Sequence, residues 1–439
     1  MIVFVQKLWH KLIASPIQTI YIFAIANSLL IIGLTGVVEL RDTASYLRAI
    51  ESIAQGQIDL IRTPVYPIFL WLCRQLAGAA HYLMLAIILQ HLLFLISIYY
   101  LFKTCRLLFT PLISISLTVI YAFEPSLTQW CSCIMTESLA VIGIVFLLYT
   151  TISMWKRPCW RLVMPHTCCI FLLIFLRPAF IYLLPVMFVA WLIGACKTVG
   201  TGRIIALANI ALLAGVAVTV WGYVNKFEQA HGVKAITAIS TINKYYIVRH
   251  EGMIDTTSFP NKDLECEIME SIHQKGYTYS ANDALIEENI AFVKKYGLPN
   301  VDRLVNTSIA INKTQWIKKC FGRFYRASTE LVSCGDFSSP YDTITHVFSI
   351  APTMGMLYVF IFLYLAIIVI FSVNRRSILF TSTLLLMLAA SNVIVAIIGA
   401  QHGWGRLVFL SFPVYLLMAG ELLSLFEIKI KPKEKQHFE

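Results

Sequence analysis

Apolar stretches about as long as a membrane is thick recur along most of this chain. The hydrocarbon core of a bilayer takes about 20 mostly apolar residues per helix, so such stretches predict membrane-spanning helices. They lie at 17–38, 82–102, 107–124, 135–154, 164–176, 179–195, 204–222, 347–373, 378–400 and 405–426. Only 13% of the residues are charged, against about 25% in soluble domains. The sequence therefore predicts an all-α polytopic membrane protein with about ten transmembrane helices.

Three of these windows need interpretation. The stretch 164–195 reads either as one bent segment or as two short arms, and Arg177-Pro178 in its middle favours a turn at the membrane edge. The first window has no small-residue cleavage site after it. We interpret that window as an uncleaved anchor rather than a signal peptide.

Basic residues mark alternate connections. Short cytoplasmic loops are enriched in Lys and Arg, and Lys7 and Lys11 precede the first window. The other predicted inner segments hold Lys103, Arg106, Lys156, Arg157, Arg161, Lys197, Arg203, Arg375, Arg376, Lys429, Lys431, Lys433 and Lys435. Both termini are therefore expected in the cytoplasm. The net charge of +11 reflects this topology, and since no nucleic-acid motif accompanies it, no nucleic-acid partner is expected.

The chain divides into three predicted parts. Residues 1–222 form an N-terminal transmembrane module, whose first outer loop, 39–80, contains an interfacial helix from about Asp42 to Ala54. Residues 223–346 have a charge-balanced, solvated composition and are expected to form a larger outer loop region with short helices. Residues 347–439 form a C-terminal transmembrane module with a basic tail.

Ionisable residues at predicted outer helix ends are the first functional candidates, because a charge at membrane depth is costly unless it has a use. They are Glu39, Arg41, Asp42, Glu137, Arg177, His402 and Arg406. They come from four outer connections and fall at a similar predicted depth. We expect them to converge in a cleft between the membrane and the outer loops.

The carboxylates have two interpretations each. Asp42 precedes Tyr46 by one turn and could take a proton from an attacking hydroxyl; it could equally be a helix N-cap. Glu137 opens the fourth window, where an acid also complements the helix dipole. Both alternatives stay open for both residues.

The arginines could hold an anion. Arg62 begins the segment Arg62-Thr-Pro-Val-Tyr66-Pro, which also reads as an ordinary proline turn. Arg177 and Arg406 stand at helix ends, where a guanidinium can fork two oxygens of an anionic headgroup. The alternative for both is that the side chain reaches lipid phosphates at the membrane surface.

The cysteines and the common catalytic motifs give little evidence of a function. Cys266, Cys320 and Cys334 share the large outer loop, and two of them could pair in an oxidising compartment. The sequence contains no zinc motif, phosphate-binding glycine loop or nucleophile elbow.

Several of these residues stand in an order that resembles a known family. Asp42-x-x-x-Tyr46, an apolar helix, Gly56 and Arg62-x-Pro-x-Tyr66-Pro67 follow the first window. Later landmarks are Glu124-Pro125, Met135-Thr-Glu137-Ser138, Leu176-Arg177-Pro178, and Arg406 followed by Phe412-Pro413. The set resembles the GT-C superfamily of membrane glycosyltransferases, which includes protein O-mannosyltransferases and lipid A aminoarabinose transferases. The resemblance covers helices one to six and the last helix, but not residues 223–346.

The resemblance implies an inverting glycosyltransferase of a bacterial inner membrane. The donor would be a sugar on a polyprenyl phosphate, and the acceptor a glycan, lipid or protein on the non-cytoplasmic side. Asp42 would activate the acceptor, with Glu39 or Glu137 supplying any second carboxylate, since Thr43 follows Asp42 where many relatives have a second acid. Tyr46, Arg62, Tyr66, Arg177, Arg406 and His402 would bind substrate. Whether a divalent cation takes part is left open.

Two other functions compete with this one. A polysaccharide polymerase or ligase would also use lipid-linked glycans and have a large outer loop, but it is expected to rely on arginines and histidines in that loop. A transporter or flippase is expected to have internal repeats and polar groups at the membrane midplane, whereas here the polar groups gather at one rim.

Overall fold

The structure is a computed structural model that describes residues 16–256, 259–277, 286–332, 352–372, 379–400 and 403–430. Within these ranges the regular structure is helical, apart from two isolated bridges that pair Val38 with Cys133 and Leu331 with Thr353. The all-α fold class is therefore confirmed for the described part of the chain.

The N-terminal half forms a bundle of apolar helices. They are α1 (Pro16–Thr35), α2 (Thr43–Ala54), α3 (Val65–Leu108), α4 (Pro111–Ala122), α5 (Pro125–Cys131), α6 (Glu137–Lys156), α7 (Val163–Leu176), α8 (Leu183–Lys197) and α9 (Thr201–His231). Short 3₁₀ turns, Trp160–Leu162 and Pro178–Tyr182, precede α7 and α8. The interfacial helix predicted from about Asp42 to Ala54 corresponds to α2.

The remaining helices form an outlying group and a second set of apolar helices. The outlying group consists of α10 (Ile239–His250), α11 (Lys262–Lys275), α12 (Ile286–Tyr296), α13 (Leu298–Ile311) and α14 (Lys313–Ala327). The apolar set consists of α15 (Met354–Ser372), α16 (Leu379–Gly399), α17 (Trp404–Phe409) and α18 (Phe412–Ile430). His346 and Cys334, noted in the sequence, lie outside the described residues.

The helices make the chain an integral membrane protein, but the expected count of ten spans is not confirmed. Six described helices are long and apolar enough to cross a membrane, or seven if α4 and α5, bent by 50° at their junction, form one broken span. The other three windows contain shorter apolar helices, Trp160–Leu176, Met354–Ile370 and Phe412–Leu425. Exposed apolar side chains on the outside of the bundle, as on α1 and α15, provide the surface for membrane lipid.

Backbone residues account for the breaks in these helices. Gly78 has a φ of +74° inside α3 and splits that helix into a short arm and a long one. Pro125 and Pro178 each begin a new helical segment where the chain turns. The break at Arg177-Pro178 agrees with the sequence prediction of two arms.

The outlying group packs on the first loop as well as on the bundle. Phe227, Ile242 and Leu298 form part of a separate apolar core that also buries Ile61 of the first loop. The Ala238 N–H donates to the Leu60 carbonyl (2.9 Å). The first loop is therefore held between the bundle and the outlying group, at one end of the bundle, which we call the site face.

Candidate functional site

A short backbone pairing sets the position of the first loop. The Val38 N–H donates to the Ser132 carbonyl (2.9 Å), and the Ile134 N–H donates to the Val38 carbonyl (3.1 Å). The Thr43 hydroxyl then donates to the Ile134 carbonyl (3.2 Å). These bonds fasten the start of α2 to the segment that precedes α6, and so bring Asp42 close to Glu137.

A second contact brings the far end of the first loop to the start of the turn before α8. The buried Thr63 hydroxyl donates to the Leu176 carbonyl (3.2 Å). Arg62 and Arg177, the chain neighbours of these two residues, therefore lie on the same side of the bundle.

The buried half of the site, which we call the floor, consists of Thr136, Glu137 and Arg177. Arg177 Nη1 lies 2.8 Å from Glu137 Oε1 and also donates to the Thr136 hydroxyl (3.1 Å). The Glu137 side chain is 1% exposed. A buried carboxylate is stable only when it is paired, so the floor is a fixed ion pair at the first turn of α6.

The open half of the site, which we call the rim, consists of Asp42, Arg62 and Arg406. Asp42 Oδ1 lies 3.3 Å from Arg62 Nη2, and Asp42 Oδ2 lies 3.9 Å from Arg406 Nη2. The Asp42 side chain is 28% exposed. Asp42 occupies the N-cap position of α2 but its side chain makes no capping hydrogen bond, so its carboxylate is directed to the arginines.

Arg62 is seated on α2. Its Nε donates to the Ser45 hydroxyl (2.7 Å), its Nη1 donates to the Tyr46 hydroxyl (3.1 Å), and its Cζ lies 4.0 Å from the centre of the Tyr46 ring. The Tyr46 ring in turn meets the ring of Tyr66 edge to face, with 5.0 Å between centroids. Hydrogen bonds and ring contacts thus fix the guanidinium before any ligand arrives.

Arg406 connects the two halves. Its Nε lies 3.6 Å from Glu137 Oε1, while its Nη2 faces Asp42. That Nε is buried and has no hydrogen-bond acceptor within the described ranges. The Cζ atom lies 6.0 Å from the centre of the Trp130 ring. Arg406 is therefore the least tightly held of the three arginines.

The short helix that carries Arg406 is held from the outlying group. Gly403, with a φ of +68°, precedes α17, and the Gly405 N–H donates to the Glu330 carboxylate (3.0 Å). A β carbon at Gly405 would overlap the Leu331 carbonyl oxygen. The segment after α14 therefore lies directly against the backbone beside Arg406.

The charges favour an anionic ligand. Three guanidinium groups, of Arg62, Arg177 and Arg406, face the two carboxylates of Asp42 and Glu137. Burial acts to lower the pKa of Arg177, but the adjacent Glu137 carboxylate outweighs it and raises the pKa above its ordinary value, so this group stays charged. The excess positive charge suits a phosphate, which takes forked hydrogen bonds from guanidinium.

A metal is not favoured by these side chains. In the part of the chain that the structure describes, no three His, Cys, Asp or Glu side chains gather to hold a metal ion. Asp42 and Glu137 both face arginines.

Other predicted site residues lie elsewhere. Glu39 is exposed, and among the described ion pairs it does not join the floor or the rim. Tyr66 is fully buried and donates to Gln90 Oε1 (3.1 Å), so it supports Tyr46 from below. His402 lies outside the described residues.

Two residues of the site, Thr136 and Gln90, were not predicted from the sequence. Thr136 hydrogen-bonds to Arg177 and lies 3.4 Å from the Tyr46 hydroxyl, and Gln90 donates to the carbonyls of Cys131 and Cys133. Thr136 is next to Glu137, an acid already predicted at a helix start, and this position could have identified it. Gln90 is an amide inside an apolar window, which is costly without a partner, and that too could have identified it.

No protein-family model matches the sequence, and no curated protein matches it.

Proposed function

We propose that this protein is an inverting membrane glycosyltransferase that moves a sugar from a polyprenyl-phosphate donor to a glycan, lipid or protein acceptor. The observation that carries the proposal is the rim: a partly exposed carboxylate, Asp42, lies between Arg62 and Arg406 at one end of a membrane bundle. A lipid-linked phosphate and an acceptor hydroxyl could both reach this position. The order of residues in the sequence, which resembles that of GT-C enzymes, also supports the proposal.

In the proposed reaction, the Asp42 carboxylate and the arginines have separate roles. The acceptor hydroxyl attacks the anomeric carbon of the sugar, and its proton passes to the Asp42 carboxylate. The bond between that carbon and the phosphate oxygen breaks, and the oxygen keeps the electron pair. Because attack and departure occur on opposite sides of the carbon, the configuration inverts.

The arginines receive the charge of the departing phosphate. Arg406 is loosely held, since its closest oxygen of Asp42 is 3.9 Å away and its Nε lacks a described acceptor. It can turn from Asp42 to a phosphate oxygen without losing a hydrogen bond. Arg62 and Arg177 supply the fixed part of the positive field.

Replacement of Asp42 tests the proposal. Asp42→Asn keeps the shape and removes the proton acceptor, so transfer should fall by roughly 10²–10⁴-fold. The assay follows transfer from a panel of polyprenyl-phosphate sugars in membranes, with donor binding measured in parallel. Glu51→Gln is the matched control, because Glu51 is another exposed acid on α2, paired with Arg74 instead of the site. Near-normal transfer by a well-expressed Asp42→Asn protein would overturn the role of Asp42.

The products of the same assay separate the competing functions. A glycosyltransferase of this kind yields an acceptor with one added sugar. A polymerase or ligase yields chains or transferred glycans from the lipid-linked donor. A flippase moves the donor between leaflets and forms no new glycosidic bond.

We propose that the site face lies on the non-cytoplasmic side, with both termini in the cytoplasm. Cys266 on α11 is exposed on the outlying group, and Cys196 is exposed at the opposite end of α8 from Arg177. A membrane-impermeant thiol reagent applied to intact cells should label the peptide that contains Cys266. The Cys196 peptide should be labelled only after the membrane is permeabilised. The reverse result would move the proposed site to the cytoplasm.

A further inference from the structure

One helix of the outlying group presents a large apolar surface that nothing in the described structure covers. On α14, Ile317, Phe321 and Tyr325 recur at four-residue intervals and so lie along one side of the helix. Their exposed fractions are 48%, 72% and 82%. An ordinary solvated helix exposes only scattered apolar residues, whereas α14 exposes three large ones along one side.

The stripe lies at the level where an apolar helix of the bundle begins. Phe324 of α14 packs against Tyr358, about one turn into α15, with 6.1 Å between ring centroids. The Gly355 N–H donates to the Ser328 carbonyl (2.8 Å). The first turns of α15 expose Met356 and Val359. α14 therefore lies against the first turns of α15, which themselves expose apolar side chains.

The opposite side of α14 is held by protein. The buried Glu251 carboxylate pairs with Arg326 and, at 3.1 Å, with Lys319. These contacts attach the polar side of α14 to the end of α10. The helix is thereby oriented with its stripe pointing away from the outlying group.

The charge of α14 suits a phospholipid surface. The helix contains five basic residues and no acid. Lys313 and Lys318, both exposed, flank the apolar stripe. Helices with an apolar side and a basic polar side lie in the boundary between headgroups and acyl chains, and basic residues near that boundary attract lipid phosphates.

We propose that α14 is an interfacial helix whose Ile317, Phe321 and Tyr325 stripe inserts into the membrane leaflet at the site face. Its partner is the phospholipid of the protein's own membrane. The outlying group is thereby attached to the bilayer beside α17 instead of being wholly solvated. This inference does not depend on the proposed enzymatic activity.

Photo-crosslinking in vesicles tests the proposal directly. The full chain, with Phe321→p-benzoylphenylalanine, is reconstituted into vesicles of phosphatidylethanolamine and phosphatidylglycerol that contain a radiolabelled phospholipid. The analogue keeps an aromatic ring at the position. Irradiation should attach labelled lipid to the protein. The matched control is Gln315→p-benzoylphenylalanine, because Gln315 is exposed on the other side of the same helix, and its lipid adduct should be several-fold weaker.

Two results would overturn the proposal. Equal lipid labelling at positions 321 and 315 would mean that the stripe does not face the bilayer. A crosslink from position 321 to a second copy of the chain, in place of lipid, would make the stripe a dimer contact. Tyr325→p-benzoylphenylalanine repeats the test one turn later if the first variant does not fold, as judged by size-exclusion chromatography in detergent.

Discussion

The floor and the rim of the site use the same pair of chemical groups for different purposes. In the floor, Glu137 and Arg177 approach to 2.8 Å and the carboxylate is almost fully buried. In the rim, Asp42 faces Arg62 and Arg406 at 3.3 and 3.9 Å and remains partly exposed. A tight buried pair fixes structure, whereas a loose exposed one can exchange a partner for a ligand. We therefore expect the floor to stabilise the fold and the rim to take part in the reaction.

Removal of the floor carboxylate should have the largest effect. Glu137→Gln leaves the Arg177 guanidinium, whose side chain is 15% exposed, without its counter-charge, and breaking a buried ion pair costs about 3–5 kcal/mol. The measurement is chemical unfolding in detergent, with Asp42→Asn as the rim counterpart. An equal loss of unfolding free energy in the two variants would contradict the distinction between floor and rim.

Replacement of the arginines by lysine sharpens the same comparison. A lysine keeps the charge but loses the forked geometry, so Arg406→Lys should weaken donor binding by about 1.5–3 kcal/mol, the usual value of a hydrogen bond to a charged group. Arg177→Lys should reduce both donor binding and stability, because Arg177 also holds Glu137 and Thr136. Binding of a fluorescent polyprenyl-phosphate analogue is the readout. Two variants with normal affinity would instead mean that neither arginine binds the donor phosphate.

The smallest effect concerns a third carboxylate, Glu251, at the end of α10. Burial alone acts to raise the pKa of Glu251, but hydrogen bonds from Arg326 and Lys319 outweigh it and lower the pKa below the ordinary carboxyl value. The stabilisation is therefore present above that ordinary value and is lost as the pH falls through the lowered one. Because both cations are partly solvated, we expect on the order of 1 kcal/mol.

Thermal unfolding of the wild type and Glu251→Gln measures this contribution. Near neutral pH the variant should be less stable, and the difference should shrink as the pH falls below about 4. A constant difference across that range would assign the loss to packing instead of charge.

Much of the fold follows from the sequence because it depends on local patterns. Each apolar window contains a helix, and the break at Arg177-Pro178 follows from proline at the start of a new segment. The expected number of spans is not confirmed, because three windows contain shorter apolar helices and a fourth bends by 50° between α4 and α5. Hydropathy does not reveal where a backbone bends or where a helix ends.

The site could be predicted in part. Charged residues at helix ends indicated that Asp42, Glu137, Arg177 and Arg406 would converge, and the structure brings these four together. Their partners could not be predicted, because each pair joins distant parts of the chain. The burial of Tyr66 was equally hidden, since it depends on the packing of α3 against the segment before α6.

The contact at Gly405 restricts which sequences can adopt this arrangement. A side chain there would overlap the Leu331 carbonyl oxygen, so even alanine would push α17 away from the segment that ends the outlying group. Glycine before the arginine of α17 is therefore required by geometry rather than by chemistry. Chains that share this architecture should keep a glycine–arginine pair at that place, with an acid such as Glu330 to receive the glycine N–H. That combination is a criterion for recognising distant relatives even where the surrounding apolar residues have diverged.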